Sequence, residues 1–433
     1  MAKTKHSLSV DDFQELPAWP EQVMGGKYVR LLEKQLASLC DARGAHGNRQ
    51  LFLDDVFITY LLAFFNPTIR SLRTIEDFSQ TRQVQKHLSI GKLCRSTLSD
   101  FHRLANPQRL EPILMALRKQ LGRKEAGNRA RADSLSTLLK KAVAVDGTFL
   151  EAAAEIAWAV RGDNQHGDKN WRVRLDFHVG VADWVPELIV AAEPGQSESA
   201  SAAANVQDGG LYLYDRGFSG YDVINAHYRQ AANGQCQARA QFVIRYKPAG
   251  GNAPELVEAE ERQLTEDDRA AGVLSDRVGR FRSSKQSRHT LLDVPLREVL
   301  VRDDRSGEEK TLRLITNLID VPARIIALLY RSRWQIELFF RWLKCFAGLN
   351  HLISHCREGV LLHFYTAVIG AMLMYLHSGC RPSKYMFVLL GQVACGAATW
   401  EEVQPILQER ERQREVERRS AAARRAKKKP ASR

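Results

Sequence analysis

The sequence predicts an α/β domain with helical regions before and after it. Three observations lead there. Hydrophobic periodicity is helical up to about residue 130 and shifts to strand-like alternation from 141. Strand and helix candidates then follow in the order β-β-β-α-β-α-β. Much later comes a nearly all-apolar helix, YRSRWQIELFFRWLK (330–344), with one polar stripe. At 433 residues two or three domains are expected, and 44% hydrophobic content suffices for a real core.

Residues 1–130 read as a helical domain. LFLDDVFITYLLAFF (51–65) is strongly apolar and stops at Asn66-Pro67. SLRTIEDFSQTRQVQKHL (71–88) is amphipathic, and a short helix, TLSDFHRLA (97–105), follows. The last two make either a helix-turn-helix or a plain bundle. In the former, Arg95, Ser96, Thr97 and Ser99 open the DNA-facing helix. Residues 107–140 hold one more helix and a basic stretch that looks like a linker.

From 141 the strands begin. KAVAVDGTFL (141–150) carries Asp146, WRVRLDFHVGVAD (171–183) alternates, and VPELIVAAE (185–193) is a third strand. SESASAAANV (197–206) reads as a small-residue helix, and GLYLYDRGF (210–218) as a buried strand running into Asp215. GYDVINAHYRQ (220–230) reads as helix and QFVIRYK (241–247) as strand. Residues 250–318, short alternating runs between charged turns, read as a β-rich insertion.

On the 330–344 helix, at ~100° per residue, Tyr330, Arg333, Glu337, Arg341 and Lys344 fall on one narrow stripe. Leu338, Phe339, Phe340, Trp342, Leu343 and Phe346 fill the rest. Charges on a buried helix need partners. The stripe therefore faces a metal site or a phosphate backbone, or else Arg333 and Glu337 form an ordinary ion pair.

VLLHFYTAVIGAMLMYL (360–376) is short for a span of ~20 residues and carries His363, so it reads as a buried helix rather than a membrane segment. Met1 is followed by polar residues, not a secretory signal. Seven cysteines are scattered singly without a CxxC pair, which fits a reducing cytosol. His351, His355 and Cys356 lack the second cluster that zinc requires. The net charge is +13, and eight Lys or Arg with no acid lie in 418–433. This tail has no apolar face and reads as disordered. It is either a polyanion-binding segment or simply solvated.

Three acids remain: Asp146 at the end of the first strand, Asp215 at the end of the fourth, and Glu337 on the late helix. Carboxylates brought together repel unless a cation lies between them. Magnesium takes carboxylate and phosphate oxygens, and two such ions can flank a phosphodiester. No GxSxG or GxxxxGK[ST] is present, so serine hydrolysis and ATP hydrolysis are not indicated.

With these acids and the spacing Tyr330-x2-Arg333-x3-Glu337-x6-Lys344, the chain resembles the insertion-sequence-four family of DDE transposases over about residues 140–376. DGT (146–148) and YDRGF (214–218) resemble the family's contexts for its first two acids. The resemblance implies a ribonuclease H-like catalytic core interrupted by the insertion, with a helical C-terminal region at 377–417. It implies that Asp146, Asp215 and Glu337 hold two Mg²⁺ ions, with Mn²⁺ able to substitute. Arg333 and Lys344 would contact DNA phosphates, with Tyr330 against the same strand. Arg341 shares the stripe. Arg216 is a phosphate or ion-pair candidate, and Trp334 a stacking or core residue. The implied function is cut-and-paste transposition: cleavage at terminal inverted repeats and joining of 3′-hydroxyl ends to target DNA. A hairpin intermediate, a homodimeric synapse and a bacterial cytoplasmic, nucleoid-associated setting are implied with it. The acids alone also admit a metal-dependent nuclease without strand transfer, or a repurposed non-catalytic DNA-binding protein.

Overall fold

Alternating apolar residues in the middle third of the chain zip into one large sheet. The structure, a computed structural model, describes residues 25–40, 51–66, 68–69, 71–126, 134–151, 160–163, 169–183, 185–193, 195–231, 235–248, 255–281, 291–303, 310–337, 339–340, 353–354, 356–379 and 384–427. The chain divides into a sheet unit, Arg129–Arg341, and a helical unit made of Met1–Asn128 and Trp342–Arg433.

The strands are β1 (Ala142–Glu151), β2 (Val160–Asp163), β3 (Lys169–Gly180), β4 (Pro186–Ala191), β5 (Leu211–Tyr214), β6 (Tyr228–Gln230), β7 (Cys236–Ala238), β8 (Gln241–Tyr246), β9 (Leu256–Glu261), β10 (Val273–Phe281), β11 (Leu296–Asp303) and β12 (Lys310–Thr316). Among the described residues, ten of them form one sheet in the order β2-β3-β1-β5-β8-β12-β11-β10-β9, with β4 also on β3. β1, β5 and β8 run parallel and the other pairings are antiparallel. The parallel centre is buried on both faces, so β5 reads Leu-Tyr-Leu-Tyr without a polar residue.

The β-rich insertion is not a separate module, because β12 pairs with β8 and continues the sheet. It carries buried charge pairs. Arg297 grips Asp276 through two hydrogen bonds of 2.7 Å. It also donates to the carbonyls of Leu318, Ile319 and Val321, just ahead of the Ala323–Ser332 helix. Arg313 and Arg277 both reach Glu298.

Several segments depart from expectation. Only Tyr221–Asn225 of the 220–230 segment is helical; Tyr228–Gln230 forms a hairpin with β7. The 71–88 helix breaks into Leu72–Ser79 and Arg82–Gln85. The 107–140 linker holds two helices, Glu111–Ala126 and Ser134–Lys141. The basic tail is not disordered throughout, since the helix Trp400–Lys427 runs through most of it. Ala, Glu and Arg are strong helix formers, and Arg412–Glu409 and Arg414–Glu411 pair one turn apart. Residues 428–433 lie outside the described residues.

In the helical unit, Leu53–Phe65 packs against Arg357–Ser378. The latter is long and apolar enough to cross a membrane, but its most apolar window is 89% buried, as in a core helix. A side chain at Gly370 would run into the Phe64 ring, so Gly is what lets these two helices approach. The sequence reading attaches 342–376 to the sheet domain; the described residues of that stretch, 353–354 and 356–376, group with the helical unit. Helix Arg95–Leu104 buries Leu98, Phe101 and His102 and exposes Arg95, Ser96, Thr97 and Ser99. His351 and His355 lie outside the described residues, and Cys356 is a free thiol.

Among the described residues, three histidines are buried and neutral. Burial pushes His102, in the helical unit, and His178 and His227, in the sheet unit, each down to about 4. His227 is fixed by a 2.8 Å contact between Nδ1 and the Val223 carbonyl. A folded value below the unfolded one of ~6.5 means the stabilisation is complete above pH ~6.5 and is lost as pH falls toward 4. Between pH 7.5 and 5 each histidine is expected to cost about 2 kcal/mol of stability. Chemical denaturation at the two pH values tests this; equal midpoints would refute it.

Candidate active site

β1 and β5 are parallel neighbours whose pairing ends at Val145↔Tyr214, and an acid follows each of these two residues. Asp146, within β1, and Asp215, just after β5, therefore emerge side by side where the parallel pairing of these two central strands ends. The backbone N–H of Gly147 donates to Asp146 Oδ1 at 2.9 Å. Asp215 follows β5 directly and precedes a tight turn, Arg216–Phe218.

The third acid arrives on the segment after Ala323–Ser332. The expected 330–344 helix is not continuous. The first helix ends at Ser332, Arg333 and Trp334 form a turn with the Arg333 N–H donating to the Tyr330 carbonyl at 3.1 Å, and helix resumes at Gln335, so Glu337 sits in the first turn of the resumed helix. Phe177 anchors the residues just beyond Glu337. It is the cross-strand partner of Asp146, so the two side chains share a face of the sheet. Its ring meets Phe339 at 5.7 Å and Phe340 at 5.4 Å, both edge-on. Glu337 is thereby held over the face that bears Asp146.

Arg333 is the hub. Its Nη2 donates to Glu337 Oε1 at 2.7 Å, and its Nη1 lies 3.8 Å from Asp146 Oδ2. The Arg333 side chain is 8% exposed, and Nη1 has no hydrogen-bond partner. The guanidinium also lies over the Tyr330 ring, 5.9 Å from its centroid. Tyr330 Oη donates to Asp215 Oδ1 at 3.3 Å, and Arg245 on β8 approaches the same oxygen at 3.7 Å.

The two aspartates are held differently. Burial raises Asp146 to about 7, although Arg333 and the Gly147 N–H pull it down; Glu198 and Asp215 add to the rise. Burial also pushes Asp215 up, but Arg333, the Arg216 N–H, Arg245 and Tyr330 outweigh it, leaving Asp215 below its usual range. For Arg333, burial works against the charge, yet Tyr330, Asp215, Glu337 and Asp146 together raise it. Among the described residues, no three acids, histidines or cysteines gather closely enough to hold a metal ion, and Arg333, with Arg245 beside Asp215, supplies positive charge among these carboxylates.

The structure thus brings together Asp146, Asp215, Glu337, Tyr330 and Arg333. Arg216 and Trp334 are exposed beside them. Arg341 and Lys344 lie outside the described residues. The sequence reading missed Arg245, Phe177 and Glu198. Arg245 had a signal, as a charge inside a buried strand. Glu198 is the one acid of a small-residue helix.

Residues 137–373 match the family described as transposase DDE domain. A protein of Sinorhizobium fredii named as transposase y4zB is 30% identical over 169 residues, 39% of this chain and 43% of its own length. A Geobacillus stearothermophilus protein named as a transposase for insertion sequence element IS5377 is 32% identical over 76 residues, 18% of this chain and 20% of its own. A Synechocystis protein named as a transposase for insertion sequence element IS4SA is 33% identical over 76 residues, 16% of this chain and 22% of its own. The chain thus spans less than half the length of the curated relatives it matches. Among solved structures, the piggyBac transposase synaptic complex with hairpin DNA aligns over 83% of this chain and 77% of that one, at 8% identity and a TM-score of 0.38. That likeness is too slight to carry the fold.

Proposed function

This chain belongs to the transposase DDE domain family, and on that premise we propose that it is a cut-and-paste DNA transposase of an insertion sequence. It binds terminal inverted repeats, cleaves the element ends and joins the 3′-hydroxyls to target DNA. The observation that carries this reading is the side-by-side placement of Asp146 and Asp215 on parallel strands, with Glu337 held over the same face. The strand order β4-β3-β1-β5-β8, three antiparallel and then two parallel, supports a ribonuclease H-like core.

The donor set fits a divalent cation in its chemistry. All three acids offer hard carboxylate oxygens. Burial leaves Asp146 near 7 despite Arg333, a site short of positive charge. Asp146, Asp215 and Glu337 would hold Mg²⁺, once Glu337 leaves Arg333. Bound ions would supply activation of the attacking oxygen and neutralisation of charge on the leaving one.

The chain's own residues do the rest. Arg333 offers an unpaired N–H, which suits a non-bridging phosphate oxygen. Tyr330 orients Asp215 through its hydroxyl. Lys344, Arg341 and Arg216 extend the phosphate contacts, and Trp334, 42% exposed, offers a stacking face for a base. The exposed start of the Arg95–Leu104 helix is assigned to end recognition and the basic tail to non-specific DNA contact. Two copies would act in one synapse, in the bacterial cytoplasm at the nucleoid.

The test is to incubate the purified protein with the DNA flanking its gene, a supercoiled plasmid and Mg²⁺ or Mn²⁺. Metal-dependent cuts at the outer edges of inverted repeats, with joined products, are expected. Cuts without joining would make it a nuclease; binding without cutting would make it a DNA-binding protein.

A further inference from the structure

We propose that Asp268, on the short helix Glu266–Ala270 of the β-rich insertion, is a positioning residue that sets where Tyr330, Arg333 and Glu337 meet the two aspartates. For its chemical consequence the inference rests on the transposase reading.

The Glu266–Ala270 helix is exposed except at one residue, and that residue is an acid: Asp268 is 5% exposed. Burying a carboxylate is costly unless it is hydrogen-bonded. Oδ2 accepts from the Thr265 N–H at 3.1 Å and from the Thr265 hydroxyl at 2.7 Å, which closes the capping box of its own helix. Oδ1 reaches outside the insertion and accepts from the Arg324 N–H at 2.9 Å. Arg324 is the second residue of the Ala323–Ser332 helix, whose own cap position is Pro322, a side chain that cannot accept. The first N–H groups of a helix need acceptors. Asp268 supplies the one that Pro322 lacks, and its negative charge suits a helix N-terminus. Burial pushes Asp268 up, but the Thr265 and Arg324 donors outweigh this and hold it below the usual carboxylate range.

A cap alone does not explain the other end of the same helix. Arg331 Nη2 donates to the Ala271 carbonyl at 2.9 Å, directly after the Glu266–Ala270 helix. Positions 324 and 331 fall within about 20° of each other round a helix. They lie on the side away from the buried face of Ile325, Ile326, Leu329 and Tyr330. One turn of the insertion therefore straps the helix along its outer side, at two points roughly 10 Å apart. The strap is itself tied to the sheet, since the Gly272 carbonyl accepts from the Arg302 N–H of β11 at 2.8 Å. Apolar packing on the inner face is non-directional and tolerates sliding; directional hydrogen bonds at both ends do not. Tyr330 adjoins the second anchor and reaches Asp215 at 3.3 Å, and Arg333 follows, 3.8 Å from Asp146 and 2.7 Å from Glu337. A slip of ~1.5 Å, the rise of one residue, would lose these contacts. What the strap needs from the insertion is this turn and its seat on β11, not a fixed length of chain around it.

The experiment compares full-length wild type, Asp268→Ala, and Asp268→Ala combined with Pro322→Ser. Serine at 322 gives the helix a cap of its own without restoring the tie to the insertion. Thermal melts and amide hydrogen exchange are read without DNA or metal; kcat and KM for cleavage are read on labelled element ends with Mg²⁺. Asp268→Ala is expected to melt lower, to exchange about tenfold faster over 330–337, and to lose about tenfold in kcat with KM within about twofold of wild type. The double variant is expected to regain the wild-type melt and slow exchange over 323–326, yet to keep fast exchange over 330–337 and the low kcat. If it recovers both of these, Asp268 is only a cap and the proposal fails. It fails too if Asp268→Ala exchanges and cuts like wild type. If wild type does not cut, the transposase reading falls on its own, and exchange over 330–337 decides the role of Asp268: faster in both variants supports it, equal to wild type overturns it.

Discussion

Replacing Glu337 with Gln is expected to lower DNA cleavage by about a thousandfold while leaving folding and DNA binding near wild type. The substitution removes one negative charge and almost no volume. The amide oxygen of the new side chain can still accept from Arg333 Nη2, which now reaches Glu337 at 2.7 Å. An i,i+4 pair of this kind, with Glu337 about a third exposed, is worth at most a few tenths of a kcal/mol. Phe339 and Phe340 still dock on Phe177, so the segment stays in place. Lost activity therefore reports chemistry, not unfolding. Cleavage rate on labelled element ends, with binding measured on the same DNA, is the readout; cutting at the wild-type rate would remove Glu337 from the site.

The second large effect is on stability. Asp276→Ala is expected to destabilise the sheet unit by about 3–5 kcal/mol. The side chains of Arg297 and Asp276 are 2% and 5% exposed, so removing the carboxylate strands a guanidinium where water cannot reach it. Three carbonyl partners soften the loss without supplying a countercharge. Pairing Asp276→Leu with Arg297→Met is expected to recover much of it, because well-packed apolar replacements of buried pairs are often neutral or stabilising. Urea denaturation of the single and double variants checks both statements, and a single variant within about 1 kcal/mol of wild type would contradict the burial argument.

Sequence pattern made the strands, the three acids and the polar stripe legible, because period-two alternation and helical spacing are local signals. It did not reveal which strands touch. The pairing of Val145 with Tyr214, which sets Asp146 beside Asp215, is a tertiary fact. The break at Arg333 was equally hidden. Ser332, Arg333 and Trp334 carry no strong breaker signal, and the turn forms where the Arg333 side chain meets Asp146 and Glu337. The tail misled for the opposite reason. Its charge suggested disorder, while the helix propensity of its alanines and arginines carried the helix to Lys427.

The pairing of β12 with β8 carries an evolutionary corollary. The chain runs from β8 out to β9 at the sheet edge and comes back strand by strand through β10 and β11, so that β12, from Lys310, lies alongside the strand it left. Whatever is spliced into that excursion hands the polypeptide back at the same spot, aimed at the same helix. The interval between the second and third acids can thus lengthen, shorten or acquire new decoration over generations without disturbing the chemistry it spans.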